Sequence, residues 1–107
     1  HNMEQPNLNY IKELSGGDAG FEKKLIGVVQ AELPQEIAEY EGNMNDSAFA
    51  KAAENVHKIK HKLGIVGLEK GYELAIAYED ELKEGKSTLK EEFDSILTAV
   101  IHFIKDL

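Results

Sequence analysis

The sequence predicts an all-α protein, an antiparallel four-helix bundle with a short additional N-terminal helix. Three observations lead there. Apolar residues recur at spacings of three and four nearly throughout, and strand-like alternation is absent. Only two prolines occur in 107 residues, so long helices meet few breaks. Turn-forming residues divide the chain into one short and four long amphipathic segments, and such segments bury their stripes by packing together.

The elements follow in order. His1-Asn2-Met3 looks like the end of a cloning tag and is set aside, leaving one domain over 4–107. A first helix covers Leu8 to Leu14 and stops at Ser15-Gly16-Gly17. Asp18 is a good N-cap for a long second helix running to about Glu41, with Phe21, Leu25, Val28 and Val29 turned inward. Pro34 should bend it, because the ring removes a backbone donor and crowds the preceding turn. Gly42-Asn43-Met44-Asn45 forms the next turn, and Asp46 caps the third helix. That helix carries the stripe Phe49, Ala52, Val56, Ile59, Leu63 and Val66, with Gly64 and Gly67 marking its end. The fourth helix presents Leu68, Tyr72, Ala75 and Leu82 on one face and ends near Gly85. Thr88 with Glu91 makes a capping box for the last helix, whose stripe is Leu89, Phe93, Ile96, Val100, Phe103 or Ile104, and Leu107.

Composition narrows the function. With 42% hydrophobic and 30% charged residues the chain reads as an ordinary soluble protein, with no apolar run of membrane-spanning length. The absence of cysteine excludes a disulfide framework and a zinc-thiolate site and fits a cytoplasmic location. A net charge of −8 argues against nucleic acid or an anionic membrane as partner. Lys51 to Lys62 is the exception, with four lysines against one glutamate. No phosphate-binding loop or kinase signature occurs, and Gly16 to Gly20 is a turn and cap.

His57 stands in that basic island, in the run His57-Lys58-Ile59-Lys60-His61-Lys62-Leu63-Gly64-Ile65-Val66-Gly67-Leu68. At about 100° per residue it falls roughly 120° from the centre of the apolar stripe, on the flank that reaches water. Ala50, Ala53, Lys60, His61 and Gly64 share that flank, and the small ones leave the imidazole open to a second protein. Histidine is largely neutral and nucleophilic near pH 7, and the lysines beside it favour a phosphoryl adduct.

The run resembles the motif of the histidine phosphotransfer (HPt) domain family, His-x-Leu-Lys-Gly followed by a hydrophobic-Gly-Ala/Leu step. His57, Ile59, Lys60, Val66, Gly67 and Leu68 fall on it, while His61 stands where the family has glycine. The Leu-Ser-Gly-Gly-Asp step before a long proline-containing helix is also similar to the family. The resemblance implies a non-enzymatic phosphocarrier of a multistep phosphorelay, with His57 as phosphoacceptor and Lys60 stabilising the phosphoryl group. Its partners would be response-regulator receiver domains and a hybrid histidine kinase, and it would act as a monomer. Ala50, Ala53, Lys58, His61 and Gly64 would form the docking surface. No cofactor is expected on this chain, because the receiver supplies the magnesium ion.

Glu79 lies within the apolar stripe of the fourth helix, where a carboxylate needs a partner. It can face the third helix and accept the Nδ1 proton of His57, fixing the tautomer and freeing Nε2. Snorkelling to solvent or pairing with a lysine is the plainer alternative. HPt proteins often carry glutamine or glutamate at this distance from the histidine. Two other classes are a metal-binding bundle using His57 and His61, four residues apart, and an adaptor bundle that is never phosphorylated. A kinase dimerisation helix fits poorly, since Lys58 occupies the place of its acidic base. His102 and the tyrosines Tyr10, Tyr40, Tyr72 and Tyr78 are expected to pack or lie on the surface.

Overall fold

The computed structural model describes residues 4–107, so His1–Met3 lie outside the described residues. It contains α1 (Asn9–Ser15), α2 (Ala19–Asn45), α3 (Phe49–Ile65), α4 (Glu69–Lys83) and α5 (Lys90–Lys105). Helix α3 packs against α2 and α4, and α5 packs against the same two, so α2 to α5 close a ring of neighbours. Short turns make that ring antiparallel. At 27 residues α2 is roughly 40 Å long, close to the 44 Å long axis of the molecule. The other three are 15 to 17 residues, and α1 packs against α2.

Leu33, Ile37, Tyr40, Val56, Ile59, Leu63, Tyr78, Leu82, Phe93 and Val100 form the centre of the core. Burying each such apolar side chain is worth about 1.5–3 kcal/mol. One polar cluster sits among them. The Tyr40 hydroxyl donates to Asp94 at 2.8 Å and lies 2.7 Å from the Tyr78 hydroxyl. Because Asp94 can only accept, Tyr40 gives it its proton and receives that of Tyr78. Burial first, then the hydrogen bonds to Tyr78 and Asp94, pushes the Tyr40 phenol well up. Burial also pushes Tyr78 up to about 12, so both remain neutral in the core.

A strap formed by residues 4–8 fastens α1 to the α3–α4 turn. The Glu4 carboxylate accepts from the backbone N–H groups of Lys70 and Gly71, capping α4 from 66 residues away. Asn7 N–H donates to the Val66 carbonyl at 2.8 Å, and its side chain fills the space where a Cβ of Gly67 would be. Gly67 has φ +80°, a conformation costly to any side chain.

Several boundaries differ from the sequence expectation. Asp18 caps α2 through Phe21 N–H as expected. The helix then continues through Gly42–Asn45, because Met44 packs on the core and Asn43 donates to Asn55 at 2.6 Å. Tertiary contacts outweigh the turn propensity of those residues. Pro34 lies inside this unbroken helix. Asp46 ends α2, and α3 begins after Ala48 without a side-chain cap. Phe21 and Val28 are exposed rather than inward, since the short α1 covers only one side of that stretch. On α5, Leu97 is buried and Leu107 exposed. The stripe there steps four, three and four residues through Phe93, Leu97, Val100 and Ile104.

Thr88 does not form a capping box with Glu91. Its hydroxyl donates to Glu81 of α4 at 2.6 Å, and Glu81 also accepts from Leu89 N–H at 2.7 Å. The start of α5 is therefore held by the preceding helix. Glu81→Ala should cost about 1 kcal/mol, the usual size of a lost cap, seen as a Tm lower by roughly 4–8 °C. An unchanged thermal transition would leave Glu81 without that role.

Candidate functional site

The α3–α4 seam brings the singled-out residues together. Ala52, Val56, Ile59 and Leu63 turn inward on α3, which leaves His57 on the flank beside α4 with half of its side chain exposed. Glu79 is turned inward on α4 by its neighbours Ala75, Tyr78 and Leu82 and is only 9% exposed. It meets His57 as the sequence suggested, its two oxygens 3.1 and 3.2 Å from Nδ1.

Three cationic or donor groups surround the Glu79 carboxylate. Lys60 Nζ is 3.6 Å from Oε1, and Lys83, one turn along α4, is 3.3 Å from Oε2. Burial alone would push the Glu79 carboxyl up. The hydrogen bonds from His57 and Lys83 and the charges of His57 and Lys60 outweigh it and hold the carboxyl below its ordinary value. Glu79 is thus an anion at neutral pH. An anion facing Nδ1 requires the proton to be there, because a ring lone pair aimed at a carboxylate would be repelled. Lys60 Nζ also lies 3.3 Å from Nδ1, but its charge is met by the carboxylate. The neutral imidazole therefore carries its proton on Nδ1 and presents the Nε2 lone pair outward.

Lys60 is folded down rather than extended. Its side chain is only 12% exposed, and Nζ lies 5.7 Å from the centroid of the Tyr72 ring. Tyr72 in turn lies over Gly64, where an added Cβ would come within 3.3 Å of the ring. Gly64 thus serves the seam more than an open docking face. Ala53 is a correction of the same kind. It is 1% exposed and belongs to the core, because α4 closes over the side of α3 that helical projection left in water. Ala50, Lys58 and His61 are exposed as expected. The His57 and His61 rings meet edge to face with centroids 5.1 Å apart.

The basic island is smaller in space than in sequence. Lys62 binds Glu32 at 2.9 Å and Glu36 at 2.8 Å across the α2–α3 seam. Burial pushes the Lys62 ammonium down, and the two carboxylates more than reverse it. Lys60 faces Glu79. Sequence reading missed Lys83, although its spacing of four from Glu79 on one helix was a signal for pairing. Among the described residues no three His, Asp or Glu side chains gather in a way that would hold a metal ion, and no helix is long and apolar enough to cross a membrane.

A histidine exposed on a helical bundle, with Nδ1 held by a buried carboxylate and a lysine alongside, can act as a nucleophile through Nε2. The family model described as Hpt domain matches residues 24–104, which includes His57, Lys60 and Glu79. Comparisons with curated proteins and with solved structures gave no significant match.

Proposed function

Because this chain belongs to the Hpt domain family, we propose that it is a phosphocarrier that takes a phosphoryl group from a receiver aspartate onto His57 and passes it to the aspartate of another. The observation that carries this reading is the exposed His57 ring whose Nδ1 is held by Glu79 at 3.1 Å. Nε2 attacks the phosphorus of the aspartyl phosphate. The N–P bond forms, the P–O bond to the aspartate breaks, and the carboxylate leaves with the bonding pair. No proton has to move. Nδ1 keeps its hydrogen, the ring becomes cationic, and Glu79 offsets that charge. In the return step neutral imidazole is the leaving group, which keeps the transfer reversible.

The receiver is expected to supply the magnesium ion and most of the catalysis, so this chain is a carrier rather than an enzyme. A monomer in the cytoplasm fits the proposal. Acid-labile, base-stable phosphate on the chain after incubation with a phosphorylated receiver tests it directly. A chain that takes up no phosphate under those conditions is the adaptor instead.

Lys60 contributes to the phosphorylated state. Its ammonium lies beside the ring and can turn from Glu79 to the phosphoryl oxygens, while Lys83 stays with the carboxylate. Lys60→Ala should slow transfer or shorten the life of phosphohistidine with a near-normal thermal transition. Identical rates and lifetimes in both proteins would remove Lys60 from the reaction.

His61 lies edge to face with His57 and restricts the approach to it. We assign it a steric role in selecting the partner. His61→Gly should keep phosphorylation of His57 and widen the set of reactive receivers, at a helix cost of roughly 1 kcal/mol or less. Loss of transfer with every receiver in a folded protein would make it a catalytic partner.

A further inference from the structure

We propose that the groove between α4 and α5 is a second docking surface, and that its occupant is a basic amphipathic helix of a partner protein. The proposal does not depend on the chemistry at His57. Helix α4 packs closely on α3 and more loosely on α5, and the loose side leaves a cavity of about 590 Å³. Leu68, Leu74, Ile96 and Ala99 give it apolar walls. Glu4, on the N–H groups that open α4, stands at one end. Thr88, bonded to Glu81 where α5 begins, stands at the other, since the two helices run antiparallel.

Shape and charge together select the occupant. The lining follows one face of α5 from Thr88 through Glu92 and Ser95 to Ala99, a run of roughly 16 Å. A furrow of that length between two helices takes the apolar ridge of a third. Three of the four charged residues lining it are acidic, Glu4, Glu91 and Glu92 against Lys70. The backbone of α4 already satisfies Glu4. Glu91 and Glu92 are exposed and enter no ion pair among the described residues, so they await cations on the flanks of the ridge. A second copy of this chain fits poorly, because it carries the same acidic rim and a net charge of −8. Leu74 lies roughly 200° around α4 from Tyr72, and Tyr72 faces the α3 seam. The groove therefore opens on the flank of α4 away from His57, and an occupant leaves the imidazole free. Such a surface holds one protein in place while the histidine meets another.

The test selects binders to the parent protein from a displayed library of random peptides about four helical turns long, and measures the enriched ones by fluorescence anisotropy. They should carry apolar residues at spacings of three and four, with Lys or Arg on the flanks, and become helical on binding. Ala99→Arg, at an exposed position of the groove, should abolish their binding. Glu91→Lys combined with Glu92→Lys should weaken it by about tenfold, while His57→Gln should bind like the parent. Backbone amide shifts should move along α5 and the first half of α4. Ser95→Arg serves the same purpose if Ala99→Arg loses helicity. No enrichment, acidic or non-helical binders, or binding that survives the groove variants overturns the proposal. Binding lost in His57→Gln overturns it by placing the helix at the histidine. A parent that elutes as a dimer, with Ala99→Arg a monomer, overturns it by placing a second copy in the groove.

Discussion

His57→Gln should abolish phosphorylation completely and leave a folded helical protein. The side chain is half exposed on the flank of α3, so its replacement removes the Nε2 nucleophile without opening a cavity in the core. Glutamine keeps an amide that can still donate to Glu79, which keeps the buried carboxylate partnered. His61→Gln should retain phosphorylation, because the ring of His61 meets His57 only edge to face and takes no part in the contacts to the Glu79 carboxylate, which come from His57, Lys60 and Lys83. The measurement is base-stable, acid-labile phosphate by mass spectrometry, with far-UV circular dichroism as the check on folding. Phosphate retained in folded His57→Gln would move the acceptor to another residue.

Removing the Glu79 carboxylate should have the next largest effect. In Glu79→Leu the apolar stripe of α4 becomes continuous, yet Nδ1 loses its acceptor and Lys60, nearly buried, loses its anion. The ring then samples both tautomers, and the cationic ring formed on phosphorylation has no counter-charge. Transfer should fall by roughly tenfold or more, in line with the loss of a group that orients a catalytic imidazole. Imidazole ¹⁵N shifts should report mixed tautomers. Glu79→Gln, which retains an acceptor oxygen, should be milder. Parental shifts and rates in Glu79→Leu would reduce Glu79 to a structural ion-pair partner.

The same carboxylate sets an acid-range stability signature. Its folded-state value is held below the ordinary 4.5, so the unfolded chain takes up the proton first as pH falls. Stability from Glu79 is therefore fully present above about pH 4.5 and is lost as pH drops through the lower, folded value. Both Glu79 variants should flatten the slope of stability against pH in that window.

The boundary errors have one common cause. Gly42–Asn45 reads locally as a turn, and Thr88 with Glu91 reads locally as a box. Each was decided instead by a partner distant in sequence, Asn55 for Asn43 and Glu81 for Thr88. Ala53 failed in the same way, because helical projection places a residue relative to its own stripe and knows nothing of the width of the neighbouring helix. Burial of the two hydrogen-bonded phenols at Tyr40 and Tyr78 also had no local signal, since both Asp94 and the opposing ring come from other helices.

The sequence by itself determined the helical class, the Asp18 cap, the inward stripe of α3 and the outward flank of His57, because these follow from the period of a single helix. It also singled out Glu79, because a carboxylate within an apolar stripe demands a partner. Only the tertiary structure decided where the charges of the site end up. Four lysines in twelve residues make a basic island along the chain. In space, Glu32 and Glu36 of α2 engage Lys62, Glu79 of α4 draws in Lys60, and Lys83 joins them. Ion pairs between helices depend on distances of a few ångströms that no single-helix pattern encodes. The face left around the histidine is accordingly less charged than the sequence of α3 alone suggests.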